Sequence, residues 1–371
     1  MDTLPRQFTA LWFCGLWEES SIKFSLKRKF YRIVVLTLIY AFTLSEIIQF
    51  SLTCESLENF VEIYPSLTYI VFCWKVLNFI RKESAMRQML SNFQESSFKP
   101  RTTEEFIILD KYLNKSQLIC KYITSVLLLC GISIVLTPLL KWGEGVELPF
   151  NLYYPFEVTK PTVFVITYVF QSALNTFSIF INITLDTTVY GFLLLTIGQF
   201  ELFAFRLEKV SADEKLIKEF VKHHVRILRL VKQIESFFMI AILPFFMCSL
   251  LILCTIIFQI AQEENTLNGN WFQFFTLVQY VICVLSQIFL YCWYGCRVDE
   301  KSKDVASAIY YSNWVFSTHA DRKSLSLMMI NADGGSPISF RSLCSLNLQT
   351  FGWVIKTSYA AVNLLKQAAV A

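Results

Sequence analysis

Residues 236–260, 271–296 and 161–185 each run about 25 positions without one Asp, Glu, Lys or Arg. A helix rises 1.5 Å per residue, so about 20 mostly apolar residues cross a bilayer. Any one of these stretches is long enough to span with some tilt, and three in one chain predict an integral membrane protein. Composition agrees: hydrophobic residues make up 54% and charged residues 17%, against a charged share of about 25% in soluble domains. A transmembrane barrel would alternate in polarity over segments of about 10 residues, and these runs are too long and too uniform for that. The apolar run 8–17 has no net positive charge before it and is followed by Glu18 and Glu19, so it does not read as a cleavable signal peptide.

Four weaker stretches complete a set of seven spans. Residues 31–52 carry Arg32 and Glu46, 62–80 carry Glu62 and Lys75, 119–140 carry Lys121, and 347–367 carry Lys356 and Lys366. Basic side chains near a span's end are expected to snorkel to the interface. With the N-terminus in the cytosol, the inside segments are 1–30, 81–118, 186–235 and 297–346. Together with Arg32 and Lys121 these hold 28 of the 33 basic residues, and the outside loops hold only Lys141 and Lys160. The positive-inside bias therefore predicts a cytosolic N-terminus and an extracellular C-terminus, the reverse of a G-protein-coupled receptor. Of eleven cysteines only Cys54 falls in an outside loop, so no extracellular disulfide framework is expected.

The expected fold class is thus an all-α integral membrane protein of seven transmembrane helices with cytosolic helical extensions. Its parts are an amphipathic N-terminal segment (1–30), spans one to four (31–185), a cytosolic helical extension (186–235), spans five and six (236–296), a second cytosolic segment (297–346) and a last span (347–371). Phe8, Leu11, Trp12, Phe13, Leu16 and Trp17 make the first segment aromatic, suited to lie in the interface or re-enter the inner leaflet. In the extension, Ile217, Phe220, Val221, Leu228 and Val231 recur at helical spacing and Lys215, Lys218, Lys222, Arg226, Arg229 and Lys232 mark another face. An amphipathic helix leading into span five follows, its basic stripe solvated or on anionic headgroups rather than on nucleic acid. His223 and His224 are adjacent, about 100° apart on a helix, which suits packing better than a metal site. No catalytic constellation stands out, so an enzyme is not expected, nor a cofactor or a metal.

From residue 345 the chain runs Ser-Leu-Asn-Leu-Gln-Thr-Phe-Gly-Trp-Val-Ile-Lys-Thr-Ser-Tyr to Tyr359. This resembles the closing motif of insect odorant receptors. Ala308-Ile309-Tyr310 with Trp314, and Leu327-Met328-Met329-Ile330, resemble that family's cytosolic stretch after span six. One departure is Ala360-Ala361, where the family usually repeats Ser-Tyr. The resemblance implies an odorant-gated, non-selective cation channel in the plasma membrane of an olfactory neuron's dendrite. Four subunits, some supplied by a shared co-receptor in a heterotetramer, would surround one pore. It also implies that the cytosolic helices anchor the subunits, which would make the apolar face of Ile217, Phe220, Val221, Leu228 and Val231 a subunit contact.

On the last helix Thr357, Ala361, Leu364 and Ala368 fall within about 60° of one another at 100° per residue. Spacing alone fits either a pore wall or close helix packing through small residues. The resemblance favours the pore, with Leu364 at its narrowing and Gln367 near the outer mouth. For a small volatile odorant, the middle and outer parts of spans two, three, four and six offer Tyr69, Phe72, Gly131, Ile134, Tyr168, Gln171, Phe275 and Gln279, an apolar, aromatic set with few polar groups. A taste-receptor-like channel is one alternative. A G-protein-coupled seven-helix receptor is another, disfavoured by topology and by the missing Asp-Arg-Tyr and Asn-Pro-x-x-Tyr motifs.

Overall fold

A computed structural model describes residues 4–18, 26–53, 63–140, 148–209, 214–263, 271–340 and 344–370. Within these, the helices in chain order are α1 (Pro5–Phe13), α2 (Leu26–Thr53), α3 (Tyr64–Arg81), α4 (Glu83–Phe93), α5 (Thr103–Leu140), α6 (Pro161–Glu208), α7 (Glu214–Glu263), α8 (Trp271–Tyr311), α9 (His319–Asp333) and α10 (Leu348–Val370). The helices α2, α5, α6, α7 and α8 are each long and apolar enough to cross a membrane. With α3 and α10 they form the seven-helix bundle. Its inner end is here the one that carries the basic connections.

Helix α6 is the axis of the fold. Its 48 residues extend about 72 Å at 1.5 Å each, far beyond a hydrocarbon core of roughly 30 Å. From Ile183 to Phe200 every residue is buried, including Asp186, Thr187, Thr188 and Thr196. A helix buried all round needs apolar residues all round, and the threonines meet that need by donating their hydroxyls back to the carbonyl four residues earlier, as Thr188 does to Thr184 at 2.7 Å. Close neighbours require small residues. A Cβ at Gly191 would sit 2.6 Å from a methyl of Leu4, and Gly198 faces the ring of Tyr112.

The segment α1 is not a tail on the surface. Leu4, Gln7, Leu11, Cys14 and Leu16 are fully buried, and Gln7 Nε2 donates to Ser116 Oγ at 3.0 Å. Phe13 meets the rings of Phe177 and Phe180 in α6, so the segment packs against that helix. Trp12 stays at the surface under the guanidinium of Arg28, 3.9 Å from its ring centre.

Helix α7 contains Pro244. A proline removes the N–H that would bond the carbonyl four residues back, and here that carbonyl belongs to Ile240. The indole Nε1 of Trp74 in α3 donates to Ile240 O at 2.9 Å, so a neighbouring helix supplies the missing donor in a solvent that cannot. Asn78 and Lys82 continue the pattern with bonds to the carbonyls of Phe237 and Ser236.

Lys75 corrects the expectation that it snorkels. It lies 11 positions into α3, about 16 Å from the outer end, and its Nζ is 2.7 Å from Asp186 Oδ1 with both side chains almost wholly buried. Asp186, assigned by sequence to the cytosolic extension, is inside the bundle. It also accepts from Tyr291 of α8 at 2.6 Å, and Lys75 lies 4.5 Å from the centre of the Phe245 ring.

The inner end is a packed module. Arg206 holds Glu105 through two bonds of 3.0 and 2.8 Å and reaches the carbonyls of Ser97 and Lys99. Burial would raise the Glu105 carboxyl, but these bonds and the amide of Arg101 outweigh it and hold the group below the ordinary carboxylate value. The face of Ile217, Phe220, Val221, Leu228 and Val231 is a second correction. Ile217, Phe220 and Val231 are buried within the chain, Val221 and Leu228 pack half-buried on the same core, and the ring of Phe220 meets Phe203 of α6. The chain itself covers this face, which is therefore not free to join subunits. His223 lies edge-on to Phe98 and Phe203, and His224 stacks on Phe203. The described residues contain no cluster of His, Cys, Asp and Glu that could hold a metal.

A two-stranded hairpin, Ser339–Phe340 with Cys344–Ser345, leads into α10. Leu346 then crosses α8 at Gly295, where a Cβ would overlap the Leu346 backbone. Asn347 starts α10 by accepting the Thr350 N–H at 2.8 Å, an N-cap of the favoured type. The last helix packs on α7 and α8.

Candidate functional site

A cavity of about 580 Å³ opens among α2, α3, α5, α6, α7 and α8 and the segment 148–151. Phe42 fits its ring between Tyr69 and Phe150 at 4.8 and 5.7 Å, and Tyr64 meets Tyr280 edge-on at 5.3 Å. Residues 148–154 form a roof. Gln171 binds both the N–H and the carbonyl of Phe150, each at 3.1 Å, and also the hydroxyl of Tyr154. Ser45 and Tyr153 exchange two further bonds. An irregular segment at this depth needs such partners because every backbone group left bare is costly.

The polar groups of the wall pair across helices. Thr68 and the Tyr280 hydroxyl are 2.6 Å apart, Thr137 and Thr276 3.0 Å apart, and Tyr69 donates to Asn175 Oδ1 at 2.8 Å. Asn182 joins the cavity to the buried ion pair, since it lines the wall and accepts from Lys75 at 3.2 Å.

Of the eight residues that sequence proposed for a ligand, Tyr69, Phe72 and Ile134 line this cavity. The other five stand behind or outside it. A Cβ at Gly131 would press on Ile179, so that glycine serves helix contact. Tyr168 donates to the Val135 carbonyl at 2.5 Å, Gln171 braces the roof, and Gln279 accepts from Ser133 at 2.7 Å. Phe275 is 63% exposed and points away. Sequence reasoning missed Glu46, Thr68, Phe150, Asn175, Asn182 and Tyr280, all in the wall. Glu46 was visible as a carboxylate inside a span, which is a mark of function.

On α10, Val354, Ser358 and Val362 face the bundle and are buried. Thr357 and Ala361 flank that face half-buried, and Leu364 and Gln367 are exposed. The side chain of Ala368 lies outside the described residues. Thr357, Ala361, Leu364 and Gln367 thus run along the margin of the single chain.

The family model described as 7tm Odorant receptor matches residues 56–359. Odorant receptor 46a, isoform A, of Drosophila melanogaster is 25% identical over 307 residues, covering 79% of this chain and 78% of its own. Odorant receptor 13a of the same species is 23% identical over 326 residues, 78% and 77% of the two chains. The solved insect olfactory receptor OR5 of Machilis hrabei superposes with a TM-score of 0.85 at 17% identity, over 98% of this chain and 97% of that one. A second structure of OR5, in complex with eugenol, gives 0.85 at 16% identity and the same coverage. A receptor rather than an enzyme is what such relatives point to. With four fifths of its length inside the family's model and its whole bundle on the same fold, this chain belongs to the insect odorant receptor family.

Proposed function

We propose that the chain is a subunit of an odorant-gated, non-selective cation channel, working with a shared co-receptor in the plasma membrane of an olfactory neuron's dendrite. The observation that carries this is the aromatic-walled cavity of about 580 Å³, a size and lining suited to a small molecule. The eugenol complex of the OR5 receptor supports reading such a chain as one that binds a volatile ligand.

Coupling to the pore runs, in this proposal, through the buried ion pair. Asn182 touches both the cavity and Lys75, and Lys75 holds Asp186. Asp186 holds Tyr291 of α8, and α8 meets α10 through Phe289 on Phe351. A ligand shifts a conformational equilibrium only by its differential affinity for the two states, and this chain of contacts gives it a route. The pore wall is Thr357, Ala361, Leu364, Gln367 and Ala368, with Leu364 as an apolar constriction that resists wetting when closed.

Assembly uses a different surface from the face of Ile217 and Phe220. Tyr310, Tyr311, Phe316 and Ile330 are 65 to 82% exposed at the inner end, a grouping of large apolar side chains that suits a subunit contact. Recording from cells that express the chain with and without a co-receptor, against an odorant panel, tests the whole reading. Odorant-evoked current only in the co-expressing cells is expected. Evoked signals that need no co-receptor and carry no current would overturn it.

A further inference from the structure

Among the described residues four carboxylates are buried, and three of them have a hydrogen-bond donor; Asp321 accepts from the Thr318 hydroxyl at 2.5 Å. Asp186 has Lys75 and Tyr291, and Glu105 has Arg206 and the Arg101 amide. Glu46 of α2 is 5% exposed, lines the cavity, and its Oε2 is buried with no hydrogen-bond partner. It is also the only charged side chain among the described residues of the cavity wall. A buried carboxylate without a cation or a donor is expensive, and within a membrane bundle such a group marks a functional contact. The same wall carries the rings of Tyr64, Tyr69, Phe72 and Tyr280, and the face of an aromatic ring attracts a cation. In the same wall, Asn175 Nδ2 and Ser178 Oγ are likewise buried and unpartnered.

Resting on the reading of this cavity as the odorant site, we infer that it takes small organic amines in their protonated form, with Glu46 as counter-ion. The ammonium supplies the donor that Glu46 lacks, and an apolar body fills the aromatic wall. An oxygen on the ligand would find the amide of Asn175. With Glu46 in the wall and no basic residue among the described wall residues, the site disfavours carboxylic acids of the same shape.

The test compares phenethylamine with phenethyl alcohol, its neutral near-isostere, at neutral pH. The first readout is thermal stabilisation of the purified full-length chain, and the second is current in cells with a co-receptor. The amine should stabilise the wild type at about ten-fold lower concentration than the alcohol or better, the range of a charged hydrogen bond. Glu46→Gln should erase the difference and Glu46→Asp should keep it. Equal potency of the two ligands on the wild type, or a preference that survives Glu46→Gln, overturns the amine site. Amine-selective stabilisation without any evoked current supports the site and contradicts the channel reading. Currents to the alcohol alone support the channel and overturn the amine site.

Discussion

Lys75 and Asp186 form an ion pair buried in the bundle, with Tyr291 also donating to Asp186 Oδ1 and Asn182 accepting from Lys75, while Asp186 Oδ2 is buried without a partner. Removing one partner strands the other, at a cost of about 3–5 kcal/mol. Asp186→Asn or Lys75→Met should therefore lower the melting temperature of the purified chain strongly, while the double change Lys75→Met with Asp186→Leu should recover much of it. Tyr291→Phe removes only the hydroxyl and should weaken maximal current more than ligand binding. Sequence could not find this pair. Its members are 111 positions apart, and a charge near a span's end has a local explanation in snorkelling that makes no reference to a partner. His223 and His224 are a second case. Burial pushes His223 down from 6.5 to about 3, with Arg206, Arg101, Arg226 and His224 adding to the effect, and burial pushes His224 to about 4. Between pH 6.5 and those values the unfolded chain binds protons that the folded chain refuses, so stability is present above about 6.5 and falls with acidification. The melting temperature should drop from pH 7 to pH 4.5, and His224→Phe should flatten that slope.

Helices were legible where one segment contains its own signal. The three charge-free runs gave spans four, five and six their positions, and the amphipathic stripe after residue 213 does lie on a helix. What covers an apolar stripe is not written in the stripe. Phe220 is covered by Phe203, which comes from the preceding helix, and the same spacing would serve a partner subunit equally well. Pro244 shows the other limit, since its helix persists because Trp74, 166 positions from Ile240, supplies a donor. Trp74→Phe keeps the ring and leaves that carbonyl bare, which should cost about 1–3 kcal/mol and show as a lower melting temperature. Gly295→Ala should disturb the entry into α10, because the added methyl meets the Leu346 backbone and backbone cannot swing aside. Its readout is altered gating with surface expression retained.

For the whole molecule, segregation of basic residues and the count of spans fixed the architecture before any coordinates. The cavity was not so accessible, because an empty volume depends on what neighbouring helices fail to fill. That is why Gly131, Tyr168 and Gln171, chosen for suitable chemistry at suitable depth, turn out to brace the wall and the roof. Assembly is argued from exposed surface at the inner end. Phe316→Glu with Ile330→Asp should abolish co-purification with a co-receptor and leave the melting of the isolated chain unchanged, since both side chains are exposed within it. In the proposed mechanism, ligand binding in the outer cavity opens a pore in the same complex, with no messenger between. Excised patches carrying the chain and a co-receptor, bathed without GTP, test it directly. Odorant should still evoke a cation current there, and Asn182→Ala should raise the concentration required. Loss of the current on excision, with recovery on adding GTP, would contradict the account.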